Sequence, residues 1–253
     1  SITIPDSVEV IGSLAFYRCS GLTSLIISNS VRVIGDNAFH GCTELESITI
    51  PNSVRVIGND AFRECTGLTS IIIPNSTMVI GSRAFSGCHE LANITIPNSV
   101  QVIGDSAFSG CSGLTSITIS KGVTSIGEKA FSGCSGLKSI TIPSSVTSIG
   151  SSAFSRCPKE MIIYANEDSV AAEYAKEYGF TLKQVDETSE SIEDKYKYSL
   201  LENGTISITG YTGTDKELVI PDIIYGRRVT SIGENAFFYC EKLKSITIPE
   251  GVI

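Results

Sequence analysis

Cysteine, histidine and the carboxylates are the residues of this chain that could do chemistry. Its 253 residues include eight cysteines, a count that by itself admits disulfides, a metal centre or a redox pair. Their positions narrow the choice. Cys19, Cys42, Cys65, Cys88, Cys111, Cys134 and Cys157 follow one another at 23-residue intervals, and Cys240 stands apart. No Cys-x-x-Cys pair and no His-x3-His pair occurs, so the spacing of a zinc site is missing. Stacked coils that share a sheet lie about 4.8 Å apart, which brings neighbouring Cα atoms within disulfide range. Equivalent side chains run parallel, however, and hold their Cβ atoms beyond the usual ~3.8 Å. The spacing therefore predicts a column of buried, reduced thiols acting as small hydrophobes. His40 and His89 fall at different phases of the period and do not stack. No HExxH, GxSxG, GxGxxG or phosphate loop is present. Asp and Glu are scattered over all phases, which gives no pair of catalytic carboxylates. The residues predict no catalytic centre, no metal and no cofactor.

The elements that would position these cysteines repeat with them. Gly12, Gly35, Gly58, Gly81, Gly104, Gly127 and Gly150 form one column. Phe16, Phe39, Phe62, Phe85, Phe108, Phe131 and Phe154, each preceded by Ala, form another, and a Leu follows most cysteines by three residues. A fixed period of this size marks a solenoid. In Ser116-Ile117-Thr118-Ile119 apolar and polar residues alternate, as in a half-buried strand with Ile117 and Ile119 inward. The Pro that follows most such strands lacks a donor and ends the pairing. A second short extended piece comes next, such as Ser99-Val100-Gln101-Val102-Ile103. The column Gly then permits a sharp turn or a close backbone approach. Asp105-Ser106-Ala107-Phe108 reads as one helical or 3-10 turn, with Asp36 and Asp105 suited to its N-cap. One unit cannot bury its own apolar face, whereas stacked units can.

The unit Cys-x-x-Leu-x-x-Ile-x-Ile-Pro-x-Ser-Val-x-x-Ile-Gly-x-x-Ala-Phe-x-x resembles the leucine-rich repeat in its BspA-like form. The resemblance covers residues 1–164 and 227–253. It implies an α/β repeat solenoid: a right-handed coil with a parallel sheet on one face, short helical or 3-10 turns, and a small helix-plus-strand cap. It also implies bacterial cell-surface adhesion, to host matrix proteins or other cells.

Residues 1–164 read as the solenoid. In 165–185, Glu167-Asp168-Ser169 opens a helix with Val170, Tyr174 and Tyr178 on one face and Gly179 as its stop. A closing strand follows, so the segment reads as a cap over the last apolar layer. Residues 186–195 read as an acidic linker. Residues 196–253 read as an opening cap and the first full repeat of a second block, with Asn203-Gly204 turning a hairpin. Charge follows this division. Residues 1–164 carry 11 acids and 10 bases, and 165–200 carry 9 and 4, so the acidic balance is a solvated cap and linker. The whole chain has net charge −8, which argues against a nucleic-acid partner. A charged fraction of 18% argues against disorder, and no run of about 18 apolar residues offers a membrane span. The chain opens without Met or a leader and reads as a piece of something longer, secreted or displayed on a cell surface. It is expected to be monomeric, since pairing through exposed solenoid ends would be artificial.

Function must then lie on the faces. Thr49, Thr95, Thr118 and Thr141 make one outward row, interrupted by Ile26 and Ile72, beside a row of Ser47, Ser70, Ser116 and Ser139. Hydroxyl rows can pair across strands and stabilise the sheet. They can also offer a broad face to a protein or glycan ligand, or order water. Arg32 and Arg55, one period apart, stack two cations and form a candidate contact for an anion. The candidate ligand-binding residues are Thr49, Ile72, Thr95, Thr118, Thr141, Arg32 and Arg55. The rival to a recognition protein is a spacer that presents another domain.

Overall fold

The computed structural model describes residues 2–185, 195–201, 205–224, 227–249 and 251–252. The chain forms two compact units, Ser1–Val185 and Asp186–Ile253.

In the first unit every coil contributes a strand to a nine-stranded parallel sheet, from Ile2–Thr3 through Ser24–Ile26, Ser47–Thr49, Ser70–Ile72, Asn93–Ile96, Ser116–Ile119, Ser139–Thr141 and Ile162–Ala165 to Thr181–Gln184. The register step is the sequence period: Ser116 pairs with Ser139 and with Asn93. Inward isoleucines such as Ile48, Ile94, Ile117 and Ile140 are buried, while Ser47, Thr49, Ser116 and Thr118 are exposed. The second extended piece is itself a sheet. Seven two-residue strands, from Val10–Ile11 to Ser148–Ile149, stack in parallel, so the coil carries two sheets where one was expected.

The third side is not helical. Each coil holds two residues in the left-handed region, one column running Asn37, Asp60, Arg83, Ser106, Lys129 and another Arg18, Gly41, Glu64, Gly87, Gly110. This backbone sends alternate N–H groups along the stack. Asn37, Phe39 and Gly41 donate to the carbonyls of Asn59, Ala61 and Arg63 at 2.8 Å, while the residues between them close local turns, as His40 does on Asn37 at 3.2 Å. Main-chain groups are thus matched without a helix. Asp36 and Asp105 do not cap their own turn. Their Oδ1 atoms accept the N–H of Asn59 at 2.7 Å and of Glu128 at 2.8 Å, one coil further on. The column glycines allow close approach rather than a left-handed turn: a Cβ on Gly81 would stand 2.6 Å from the carbonyl carbon of Gly58.

The core is a set of ladders. Phe16 to Phe154 stack ring on ring at 5.2–5.4 Å with interplanar angles of 1–10°, and Phe39 through Phe154 are fully buried. The stack ends on the cap helix Val170–Tyr178, which Ser169 caps at its start and Gly179 closes at φ 74. Its buried face is Ala171, Ala172, Tyr174 and Ala175, with Val170 half-buried at the edge. Tyr174 meets the last ring edge-on at 5.6 Å, and its hydroxyl accepts the Phe154 N–H at 3.3 Å. Tyr174 thereby supplies the acceptor that a following coil would give.

The second unit departs from the 23-residue pattern. Tyr196–Leu200 and Ile206–Tyr211 form an antiparallel pair, and Ile206–Tyr211 pairs in parallel with Arg227–Ile232. Glu217–Val219 pairs in parallel with Ser245–Thr247. This coil is longer than 23 residues because Ile223–Ile224 folds back antiparallel on Arg227–Ile232. Tyr196, Ile206, Ile208, Leu218, Ile220, Ile224, Val229 and Ala236 are its buried core. The expected linker, apart from Lys195, and the Glu202-Asn203-Gly204 turn lie outside the described residues.

Candidate ligand-binding faces

From Cys42 to Cys157 the cysteine column has its chemistry spent inside the coil, whereas Cys19, expected to be buried with them, is exposed. The Cys65 thiol donates to the Phe39 carbonyl oxygen at 3.1 Å, and Cys42, Cys88, Cys111, Cys134 and Cys157 each donate to the Phe of the preceding coil at 3.2 Å. The Phe39 oxygen also takes the Cys42 N–H at 3.2 Å, so the thiol fills its second lone pair. Burial pushes the thiols of Cys42 and Cys157 up to about 11 and that of Cys111 to about 12. A thiol held in its protonated form is a poor nucleophile and a poor metal ligand. All eight cysteines are free. Among the described residues no group of three or more His, Cys, Asp and Glu side chains is arranged to hold a metal ion.

The outer face of the long sheet brings the threonine row together. Thr49 stands opposite Ile26 and Ile72, Thr118 opposite Thr95 and Thr141. The row continues to Tyr164, opposite Thr141, and then to Lys183, two positions that periodicity alone does not reveal. Hydroxyls on this face differ from those at the corners. Thr69, Thr115, Thr124 and Thr147 each donate to a carbonyl one coil back at 3.1–3.3 Å. Among the described residues the hydroxyls of Thr49, Thr95, Thr118 and Thr141 make no hydrogen bond. In the neighbouring row Asn93 Oδ1 accepts from Ser116 Oγ and from Thr115 Oγ1, both at 3.4 Å.

Arg32 and Arg55 lie elsewhere, on the corner that leads into the short strands. Their N–H groups donate one coil back, to the carbonyls of Glu9 and Arg32 at 2.8 Å. Both side chains are exposed, and among the described residues neither guanidinium forms an ion pair, Glu9 included. The structure therefore divides the sequence-derived set between a face and a corner.

A third cluster, on the turn side, was not anticipated. Asp60 is buried, and Arg83 grips it through Nε and Nη2, both at 2.9 Å, with Arg63 Nη1 at 3.3 Å. Burial pushes the Asp60 carboxyl up, but the hydrogen bonds and charge of Arg83 and Arg63 outweigh it and hold the group below its ordinary value. Arg63 also meets Glu64 at 3.4 Å, Glu64 meets His40 Nε2 at 3.6 Å, and His40 packs on Tyr17 at 5.0 Å. One signal was available: Asp60 and Arg83 are a single period apart with opposite charge.

Stacked parallel coils with Leu, Ile and Phe columns define a leucine-rich-repeat solenoid. The sequence matches the BspA type leucine rich repeat region in six copies, over residues 1–115, 56–180, 103–208 and 215–253, and the chain belongs to that family. It is similar in structure to a leucine rich cell surface protein from Faecalibacterium prausnitzii, with 32% identity over 100% of this chain and a TM-score of 0.59. The chain spans 64% of that protein's length. It is also similar to a leucine-rich repeat protein from Bacteroides ovatus, with 25% identity, TM-score 0.59, and 99% of this chain on 69% of that one. A leucine rich repeat protein of T. pallidum aligns with 72% of this chain and 84% of its own, at 29% identity and TM-score 0.58. No curated protein matches the sequence. Among the described residues no helix is long and apolar enough to cross a membrane.

Proposed function

We propose that the protein is a non-enzymatic recognition protein of the bacterial cell surface, which holds a protein ligand against the outer face of its long sheet. The observation that carries this reading is the difference between its hydroxyls. Those at the corners are used by neighbouring coils, whereas those of Thr49, Thr95, Thr118 and Thr141 have no intramolecular partner among the described residues. A row of β-branched side chains with unpaired hydroxyls gives a ligand both methyl contact and hydrogen bonds. Ile72 adds an apolar point within the row, and Arg32 with Arg55 adds a cationic contact at the corner. Because the strands stand about 4.8 Å apart, each contact is modest and affinity accumulates along the row. Family membership and the cell-surface relative support the location.

The test is retention of the full chain on immobilised host matrix proteins and on whole cells, compared with the variant Thr49→Val, Thr95→Val, Thr118→Val, Thr141→Val. The variant should lose binding by more than about tenfold, roughly 1.4 kcal/mol or more. Equal retention of variant and parent would sink the reading and leave a spacer that presents other domains.

A further inference from the structure

In the first unit backbone bonds tie successive layers together at the Cys-x-x-Leu corner. Gly67 donates to the Thr43 carbonyl at 3.0 Å and Gly113 to that of His89 at 2.8 Å. The second unit departs from this arrangement. Its first layer reaches the Cys-x-x-Leu corner as the loop leading from Tyr211 to Lys216, not as a repeat. Between that loop and Cys240-Glu241-Lys242-Leu243 of the next layer lies a recess of about 180 Å³.

Its lining is divided. Cys240 and Leu243, both half-buried at core positions of the repeat, give it an apolar part. Asp215 stands on the rim, held by Lys195 Nζ at 2.8 Å and by the Tyr211 hydroxyl, both on Oδ2. Glu241 and Lys242 share the rim, together with the Tyr239 ring, which is 80% exposed. Lys195, outside the lining, neutralises Asp215, and Glu241 and Lys242 bring one charge of each sign, so the rim has no net charge with which to select an ion. The volume lies below the roughly 300–1,000 Å³ of sites for drug-sized ligands, which limits the occupant to about one ring. An exposed aromatic face beside carboxylate acceptors and an ammonium donor suits a neutral molecule with C–H faces and several hydroxyls.

We propose that this recess binds a single neutral sugar ring of the pyranose type, one residue of a glycan. The site belongs to the second unit and is independent of the threonine face, so either proposal can fail alone.

The full chain is titrated with glucose, galactose, mannose and N-acetylglucosamine, following the backbone amides of Tyr239, Glu241 and Lys242 by NMR. The parent should give saturable shifts confined to the recess with at least one sugar, in the millimolar range. Tyr239→Ala and Glu241→Gln alter rim side chains, and unchanged amide spectra elsewhere verify their fold. Each should weaken that sugar by about tenfold or more, while Thr118→Val should leave it unchanged. The proposal is overturned if none of the sugars gives saturable shifts there, if lysine amide binds more tightly than any of them, or if Tyr239→Ala binds as the parent does.

Discussion

Two columns of the first unit share one period and have opposite chemical fates. On the inside, the thiols of Cys42 through Cys157 each donate to a Phe carbonyl, and each ring from Phe39 to Phe131 has a ring above and below it. On the outside, the threonines of the long face recur in the same register, yet their hydroxyls have no partner among the described residues. Periodicity therefore does not separate residues kept for packing from residues free for a ligand. Hydrogen-bond satisfaction does. The corner threonines sharpen the contrast, since the same side chain on the same coils is bonded there.

The comparison can be broken most severely from the inside. Phe108 is fully buried between rings at 5.3 and 5.4 Å, so Phe108→Ala should destabilise the first unit by about 3–5 kcal/mol in chemical denaturation. A loss below about 1 kcal/mol would mean that the ring ladder is not what holds the coils together.

Alkali should act next. The buried thiols are pushed from an ordinary value of 9.0 to about 11 for Cys42 and Cys157 and to about 12 for Cys111. Above the unfolded value the unfolded chain binds fewer protons than the native one, so stability falls as pH rises. It should be full below about pH 9 and decline through pH 11, by up to about 1.4 kcal/mol per pH unit for each such thiol. Replacing Cys42 and Cys111 by Ala should flatten that decline; an unchanged alkaline limb would contradict the burial assigned to them.

Asp60 probes the turn side. Asp60→Asn removes a buried, doubly gripped carboxylate and should cost about 1–3 kcal/mol at neutral pH. Because its folded pKa is lowered, its contribution is present above the ordinary value of 3.8 and is lost as pH falls through the folded value. The variant's deficit relative to the parent should therefore shrink in acid. A constant deficit would mean that packing, and not charge, is what the residue contributes.

Arg32 and Arg55 should give the smallest effect. Both are exposed and without ion pairs among the described residues, so their replacement by Ala should change stability by less than about 0.5 kcal/mol. Any ligand binding that they assist should become less sensitive to salt, measured as retention at increasing ionic strength.

Much of this was legible in the sequence. The 23-residue period gave the coil, its inward isoleucines, the thiol column and the phenylalanine column, and Ser169 and Gly179 marked both ends of the cap helix. The third side was misread because its left-handed residues include Arg18, Glu64, Arg83 and Lys129, types with no preference for that region. Stacking imposes the conformation, as alternate N–H groups must reach the next coil. Asp36 and Asp105 looked like caps of their own turn because one-dimensional reading places the nearest N–H in the same coil. The Asp60 cluster was missed for a related reason: Asp60 and Arg83 share one phase, but their contact is made across layers, which a reading within one coil passes over. Of the candidate binding residues, the threonine row was readable as a row, but its unpaired hydroxyls were not, since pairing depends on side-chain geometry that alternation cannot specify.

The most direct measurement is the unfolding free energy of the variant that carries Val at positions 49, 95, 118 and 141, against the parent. Valine keeps the β-branched shape and puts a methyl group in place of the hydroxyl. If those hydroxyls are unpaired in the folded chain, the variant should be as stable as the parent or more so. A loss of about 4 kcal/mol, close to 1 kcal/mol for each hydroxyl, would show that the row holds the sheet together and is not free for a ligand.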